Sequence, residues 1–133
     1  MAKSPEYELQ KSVVKYLKLK YKNVLYCGSA GGMRTNIRQA VKMKASGYKK
    51  GFPDLFIYEP VGRFHGLAIE LKVRGNYASK EQKEWIEGLN ENGYFAQVCT
   101  GYDEAIGCIE HYLNPNKLHY TPPDSDFDLN ENR

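Results

Sequence analysis

Residues 51–72 read "GFPDLFIYEPVGRFHGLAIELK", from Gly51 to Lys72. Two apolar runs rich in β-branched and aromatic residues, Asp54–Tyr58 and Gly66–Val73, flank a loop holding Pro60 and Gly62, which is the pattern of a β-hairpin. An acid opens the first run, and an acid and a lysine close the second. In an antiparallel hairpin a turn centred on Gly62 sets Asp54 opposite Glu70. Opposed side chains share a face with Cβ atoms about 4.5–5.5 Å apart, and Lys72, two residues beyond Glu70, lies on that face as well. Burying two like-charged carboxylates this close is costly, and one lysine offsets only part of the cost. A divalent cation resolves the conflict. Oxygen ligands with no His or Cys nearby favour a hard ion, most simply Mg2+.

Working outward, the apolar spacing Leu9, Val13, Tyr16, Leu17 marks a helix over Glu6–Tyr21, and Val24–Cys27 reads as a short strand entering a glycine turn. Asn36–Ser46, closed by Gly47, is a basic helix. Ser79 followed by Gln82 is a capping box that opens a helix ending at Gly93. Tyr94–Cys99 is a further strand, and Asp103–Leu113 a last helix. Helix, strand, basic helix, strand, strand, helix, strand, helix describes an α/β fold, a mixed sheet flanked by helices. We expect one domain over residues 1–114 and a flexible acidic tail over 115–133.

The helical period of about 100° per residue sorts the two acids of the first helix. Leu9, Gln10, Val13 and Leu17 fall within about 60° of Glu6, whereas Glu8 lies roughly 200° away, so Glu6 is expected on the inward stripe and Glu8 in water. An inward acid in a first helical turn is either a dipole-compensating residue or part of a site. Gln82 likewise reads as the capping partner of Ser79 and, sharing a face with Trp85, Ile86 and Leu89, as a residue that can reach the same place.

Charge is unevenly spread. Residues 1–50 hold twelve Lys and Arg against two Glu, whereas residues 51–113 hold five against ten acids. This matches either a solvated lysine-rich face or a polyanion gripped by one region and handled by another. Three cysteines without CxxC spacing argue against a disulfide framework or a zinc site. No apolar run approaches the roughly 18–20 residues that cross a bilayer, so a cytoplasmic protein with no membrane partner is expected.

Pro53-Asp54, fifteen residues, then Glu70-Leu71-Lys72 resembles the PD-(D/E)XK nuclease superfamily. The finer pattern is similar to the virus-type replication-repair nuclease (VRR-NUC) domain: Glu6 with Gln10 on a first helix, "GGMR" at Gly31–Arg34, "GFPD" at Gly51–Asp54, "ELK" at Glu70–Lys72, and Ser79 with Gln82, in that order over about residues 5–113. Ala30 departs from the Asn found there in many relatives. The resemblance implies a restriction-endonuclease-like core and Mg2+-dependent phosphodiester hydrolysis, with Mn2+ able to substitute. It implies Asp54, Glu70 and the backbone carbonyl of Leu71 as metal ligands, with Glu6 acting through a water or a second ion. Lys72 would orient or help deprotonate the attacking water, and Gln82 would orient that water or Lys72. Arg34, Arg38, Lys42, Lys44, Lys49 and Lys50 would then hold the DNA backbone, a contact that positions without reading sequence. Stand-alone members of the family imply a homodimer acting on branched DNA, Holliday junctions included, in a phage or prophage setting. The competing expectations are a sequence-specific nuclease, for which no spare base-reading segment is visible, a non-catalytic nucleic-acid-binding protein on the same fold, and a structural or inhibitory phage protein.

Overall fold

The apolar runs of the quoted stretch pair as strands in the computed structural model of the protein, which describes residues 4–29 and 36–114. In chain order the elements are α1 (Pro5–Lys20), β1 (Tyr26–Gly28), α2 (Ile37–Ala45), β2 (Leu55–Ile57), β3 (Leu67–Lys72), α3 (Lys80–Glu91), β4 (Phe95–Thr100) and α4 (Tyr102–Leu113). The sheet runs β1-β2-β3-β4, antiparallel at its first two pairings and parallel between β3 and β4. This is the mixed α/β arrangement expected.

The hairpin register pairs Leu55 with Ile69, Phe56 with Ala68 and Ile57 with Leu67. One step further the same register sets Asp54 opposite Glu70. The strands are shorter than the apolar runs. β2 stops at Leu55 because Pro53 has no N–H to give to a ladder, although Asp54 still accepts from Ser29 N at 2.8 Å. β1 begins at Tyr26, two residues later than expected, since Val24 N is held by Tyr21 O in the turn that ends α1.

Alternation along the strands divides the core in two. Leu55, Ile57, Leu67, Ile69 and Leu71 meet Leu9, Val13 and Leu17 of α1 and Ala105, Cys108, Ile109 and Tyr112 of α4. Phe56, Ala68 and Ala96 meet Ile86 and Leu89 of α3 on the opposite face. With both faces covered, all six residues of β3 are buried, including Glu70 and Lys72.

The helix ends follow their local chemistry. In α1 Ser4 caps Tyr7 N, Pro5 opens the first turn, and Lys18 and Lys20 close the last. α3 starts with the expected Ser79–Gln82 capping box. α2 carries a second such box, Asn36 with Gln39, yet buries no residue, and its Ile37 and Val41 are exposed.

The loop before β2 depends on Gly51. Its φ is +93°, and a Cβ there would lie 2.7 Å from the Glu81 backbone at the start of α3. Gly47 shares the positive φ, at +103°, but has open space around it. In urea denaturation Gly47→Ala is therefore expected to cost about 1–2 kcal/mol of backbone strain. Gly51→Ala is expected to cost that plus about 1–3 kcal/mol of overpacking. Equal losses would show that the contact between loop and α3 is not what Gly51 serves.

Candidate active site

Four elements deliver side chains to the end of β3: the residue preceding β2, β3 itself, the first turn of α1 and the first turn of α3. Asp54 Oδ2 accepts from the backbone N of Leu71 at 2.8 Å. Glu70 Oε2 accepts from Gln82 Nε2 at 2.9 Å and lies 3.5 Å from Lys72 Nζ. Lys72 Nζ also lies 3.8 Å from Glu6 Oε1, so one amine sits between two acids from different elements. Asp54, Glu70, Lys72, Gln82 and Glu6 thus converge as the hairpin and helix counts require.

The electrostatics are those of a strained acid pair. Burial, then the neighbouring Asp54 carboxylate, pushes Glu70 up from an ordinary 4.5 to about 8, against the opposing pull of Lys72. Asp54 is also raised, chiefly by burial, although Leu71 N, Glu70 and Lys72 oppose the shift. Without a cation the pair relieves its repulsion by holding a proton on Glu70.

The donor set fits a hard cation. Glu70 is 2% exposed, and its Oε1 is buried with no hydrogen-bond partner. Its other oxygen is occupied by Gln82 and Lys72. Among the described residues no cluster of three or more His, Cys, Asp or Glu side chains is placed to hold a metal. Two carboxylates, a main-chain carbonyl such as that of Leu71 and water make up the kind of sparse set that suits Mg2+, which keeps several of its waters.

Two contacts at the site escaped the sequence reading. Asn76 Nδ2 donates to Glu6 Oε2 at 3.1 Å, from a turn after β3 in which Gly75 has φ +93°. The visible cue is the "RGN" turn signal at Arg74–Asn76, one residue beyond "ELK". Gln10 Nε2 donates to the Asp54 carbonyl at 3.1 Å, and a Cβ on Gly28 would come within 3.0 Å of that same nitrogen. Gln10 therefore fixes the main chain of Asp54 rather than touching the carboxylates.

Glu8 corrects the expectation for α1. It is half-buried, as Glu6 is, and borders a groove with Ser12, Tyr16 and Tyr102 instead of facing open water. The physical reason is that α1 packs on both the sheet and α4, which covers a second flank of the helix. The two acids still part company: Glu6 reaches Lys72 and Asn76, and Glu8 points to the α4 side.

Among the basic residues, Arg38, Lys42 and Lys44 are exposed on α2, and Lys49 and Lys50 are exposed on the loop that leads to Gly51. Lys50 lies 3.9 Å from Glu81, and its carbonyl accepts from Trp85 Nε1 at 3.1 Å. Arg34, with Gly31 and Gly32, lies outside the described residues, as does the tail from residue 115.

The sequence and the fold both match known proteins. The profile of the VRR-NUC domain matches residues 2–103. The chain belongs to the VRR-NUC family. A solved "VRR_NUC domain protein" is 35% identical, with a TM-score of 0.71, covering 85% of this chain and 91% of that one. A second structure, "VRR_NUC domain", has a TM-score of 0.51 at 20% identity, covers 78% of this chain and 97% of that one, and supports the fold alone. No curated protein matches the chain. This VRR-NUC protein therefore has a nuclease-type fold, and among its described residues no helix is long and apolar enough to cross a membrane.

A carboxyl raised on folding contributes stability that is complete below its unfolded pKa and is lost as pH rises through the folded one. For Glu70 that window runs from 4.5 to about 8. Thermal melts in EDTA are expected to show a falling transition temperature across this window, and Glu70→Gln should flatten most of the slope. An unchanged slope in that variant would mean the pair is not strained.

Proposed function

We propose that this VRR-NUC protein is a Mg2+-dependent endodeoxyribonuclease that hydrolyses phosphodiester bonds in branched DNA, four-way junctions included. One observation carries the reading: Asp54 and Glu70 are opposed across a buried hairpin with an orphaned carboxylate oxygen and Lys72 beside them. A protein that only bound DNA would gain stability by replacing such a pair with apolar side chains.

Asp54 and Glu70 would hold a divalent cation, which would supply Lewis-acid polarisation of a phosphate oxygen and activation of water. The remaining work belongs to the chain. Lys72 Nζ, held between Glu6 and Glu70, orients the attacking water and offsets negative charge that develops on the phosphate. Gln82, donating to Oε2, fixes Glu70 so that Oε1 would be available to a cation, and Leu71 N, donating to Oδ2, does the same for Asp54. Asn76 holds Glu6 toward Lys72.

The exposed lysines and arginine of α2 and of the Lys49–Lys50 loop neutralise phosphates on the approach to this acidic centre. Such contacts carry no base information, which suits recognition of DNA shape. A C2 homodimer presents two such centres and matches the two-fold symmetry of a four-way junction.

Supercoiled plasmid should be nicked with Mg2+ and untouched in EDTA, and synthetic junctions should be cut in preference to linear duplex. Asp54→Asn and Lys72→Ala are expected to lower cleavage at least a hundredfold, by about 3 kcal/mol or more of barrier, while DNA binding persists. Glu6→Gln should slow turnover and Glu8→Gln should not. Loss of binding with undiminished cleavage per bound complex would contradict the assignment.

A further inference from the structure

The face of α3 that carries Gln82 continues into a groove that the chemistry above does not use. Trp85 is one helical turn beyond Gln82, which puts their Cβ atoms about 5–6 Å apart on one side of the helix. The indole is half-buried, anchored by its N–H to the Lys50 carbonyl and packed edge-on against Phe52, ring centroids 5.2 Å apart and planes at 82°. Phe52 belongs to the same "GFPD" loop that ends in Asp54, and α3, which carries Trp85, also holds Glu70 through Gln82, so the aromatic pair adjoins the carboxylate pair through both segments.

The groove itself has a volume of about 780 Å3, inside the ~300–1,000 Å3 typical of small-molecule sites. His65 and Tyr94, in edge contact at 5.4 Å, line it together with Trp85. Lys49 and Lys50 border it near the Gly51 loop, and Glu81 and Glu84 border it along α3. Phosphates are attracted to the lysines and repelled by the glutamates. A neutral, flat group is what the aromatic floor between them accommodates.

We propose that this groove receives one unpaired nucleobase of the DNA, stacked on Trp85, with the adjoining phosphate on Lys49 and Lys50. A base inside a duplex has both faces covered by its neighbours and cannot reach an aromatic side chain; one at a junction, flap or gap can. The groove then makes branched substrates preferred, because an unstacked nucleotide lies one helical turn from the cutting centre. This inference rests on the nuclease reading.

Trp85 is the sole tryptophan of the chain, so its emission reports on the groove without a label. The test uses metal-free protein in EDTA, titrated with an unlabelled duplex bearing a short single-stranded flap and, separately, with its fully paired linear counterpart. Binding is followed in parallel by anisotropy of labelled copies. The flap DNA is expected to quench Trp85, and the linear duplex to bind with little change in emission. Trp85→Leu should weaken flap binding by roughly five- to 150-fold, the range of one base stacked on an aromatic ring, while linear-duplex binding is unchanged. Trp85→Phe, which keeps a ring and loses the indole N–H, should retain most of the preference. Binding of flap DNA with unaltered emission, or equal losses for both DNAs in Trp85→Leu, overturns the base site and leaves the nuclease reading standing. Emission that changes on dilution of the protein without DNA overturns it in favour of a contact between copies of the chain. Failure to bind any DNA overturns both.

Discussion

The structure depends on one repulsion, that between the carboxylates of Asp54 and Glu70, placed across a hairpin whose faces are covered by helices. Buried like charges are expensive, and the surrounding contacts each serve to hold them in place. Leu71 N grips Asp54, Gln82 grips Glu70, Gln10 ties down the Asp54 main chain, and Lys72 supplies half of the missing positive charge. The remaining repulsion is eased by a proton on Glu70, whose pKa is raised to about 8.

How much of this was legible in the sequence follows from which interactions are local. The register of β2 on β3 was readable because a single turn at Gly62 connects them, and the burial of Leu9, Val13 and Leu17 because helical spacing is local too. The Ser79–Gln82 capping box was visible for the same reason, and the face that Gln82 shares with Ile86 and Leu89 placed it near the site, but its bond to Glu70 was not foreseen. Contacts joining distant segments were not visible. Asn76 meets Glu6 across 70 positions of chain, and Gln10 meets Asp54 across 44. Glu8 was misplaced because a helical wheel knows one buried face, and α1 has a second neighbour in α4.

The "GFPD" segment shows how a short motif becomes geometry. Gly51 lets the loop lie against the Glu81 backbone, Phe52 packs on Trp85, Pro53 is buried and ends the ladder, and Asp54 emerges opposite Glu70. The glycine and the proline exist to aim the acid. The same loop carries Lys49 and Lys50 to the rim of the site, so the basic half of the chain and its acidic centre meet within a few residues.

The most direct test of the account is a titration of the metal-free protein with Mn2+, followed by the electron paramagnetic resonance signal of the unbound ion. At least one tightly held Mn2+ per chain is expected, lost in Asp54→Asn and in Glu70→Gln alike and retained in Glu8→Gln. A wild-type chain that holds no Mn2+, or an Asp54→Asn chain that holds it as tightly as wild type, would contradict it.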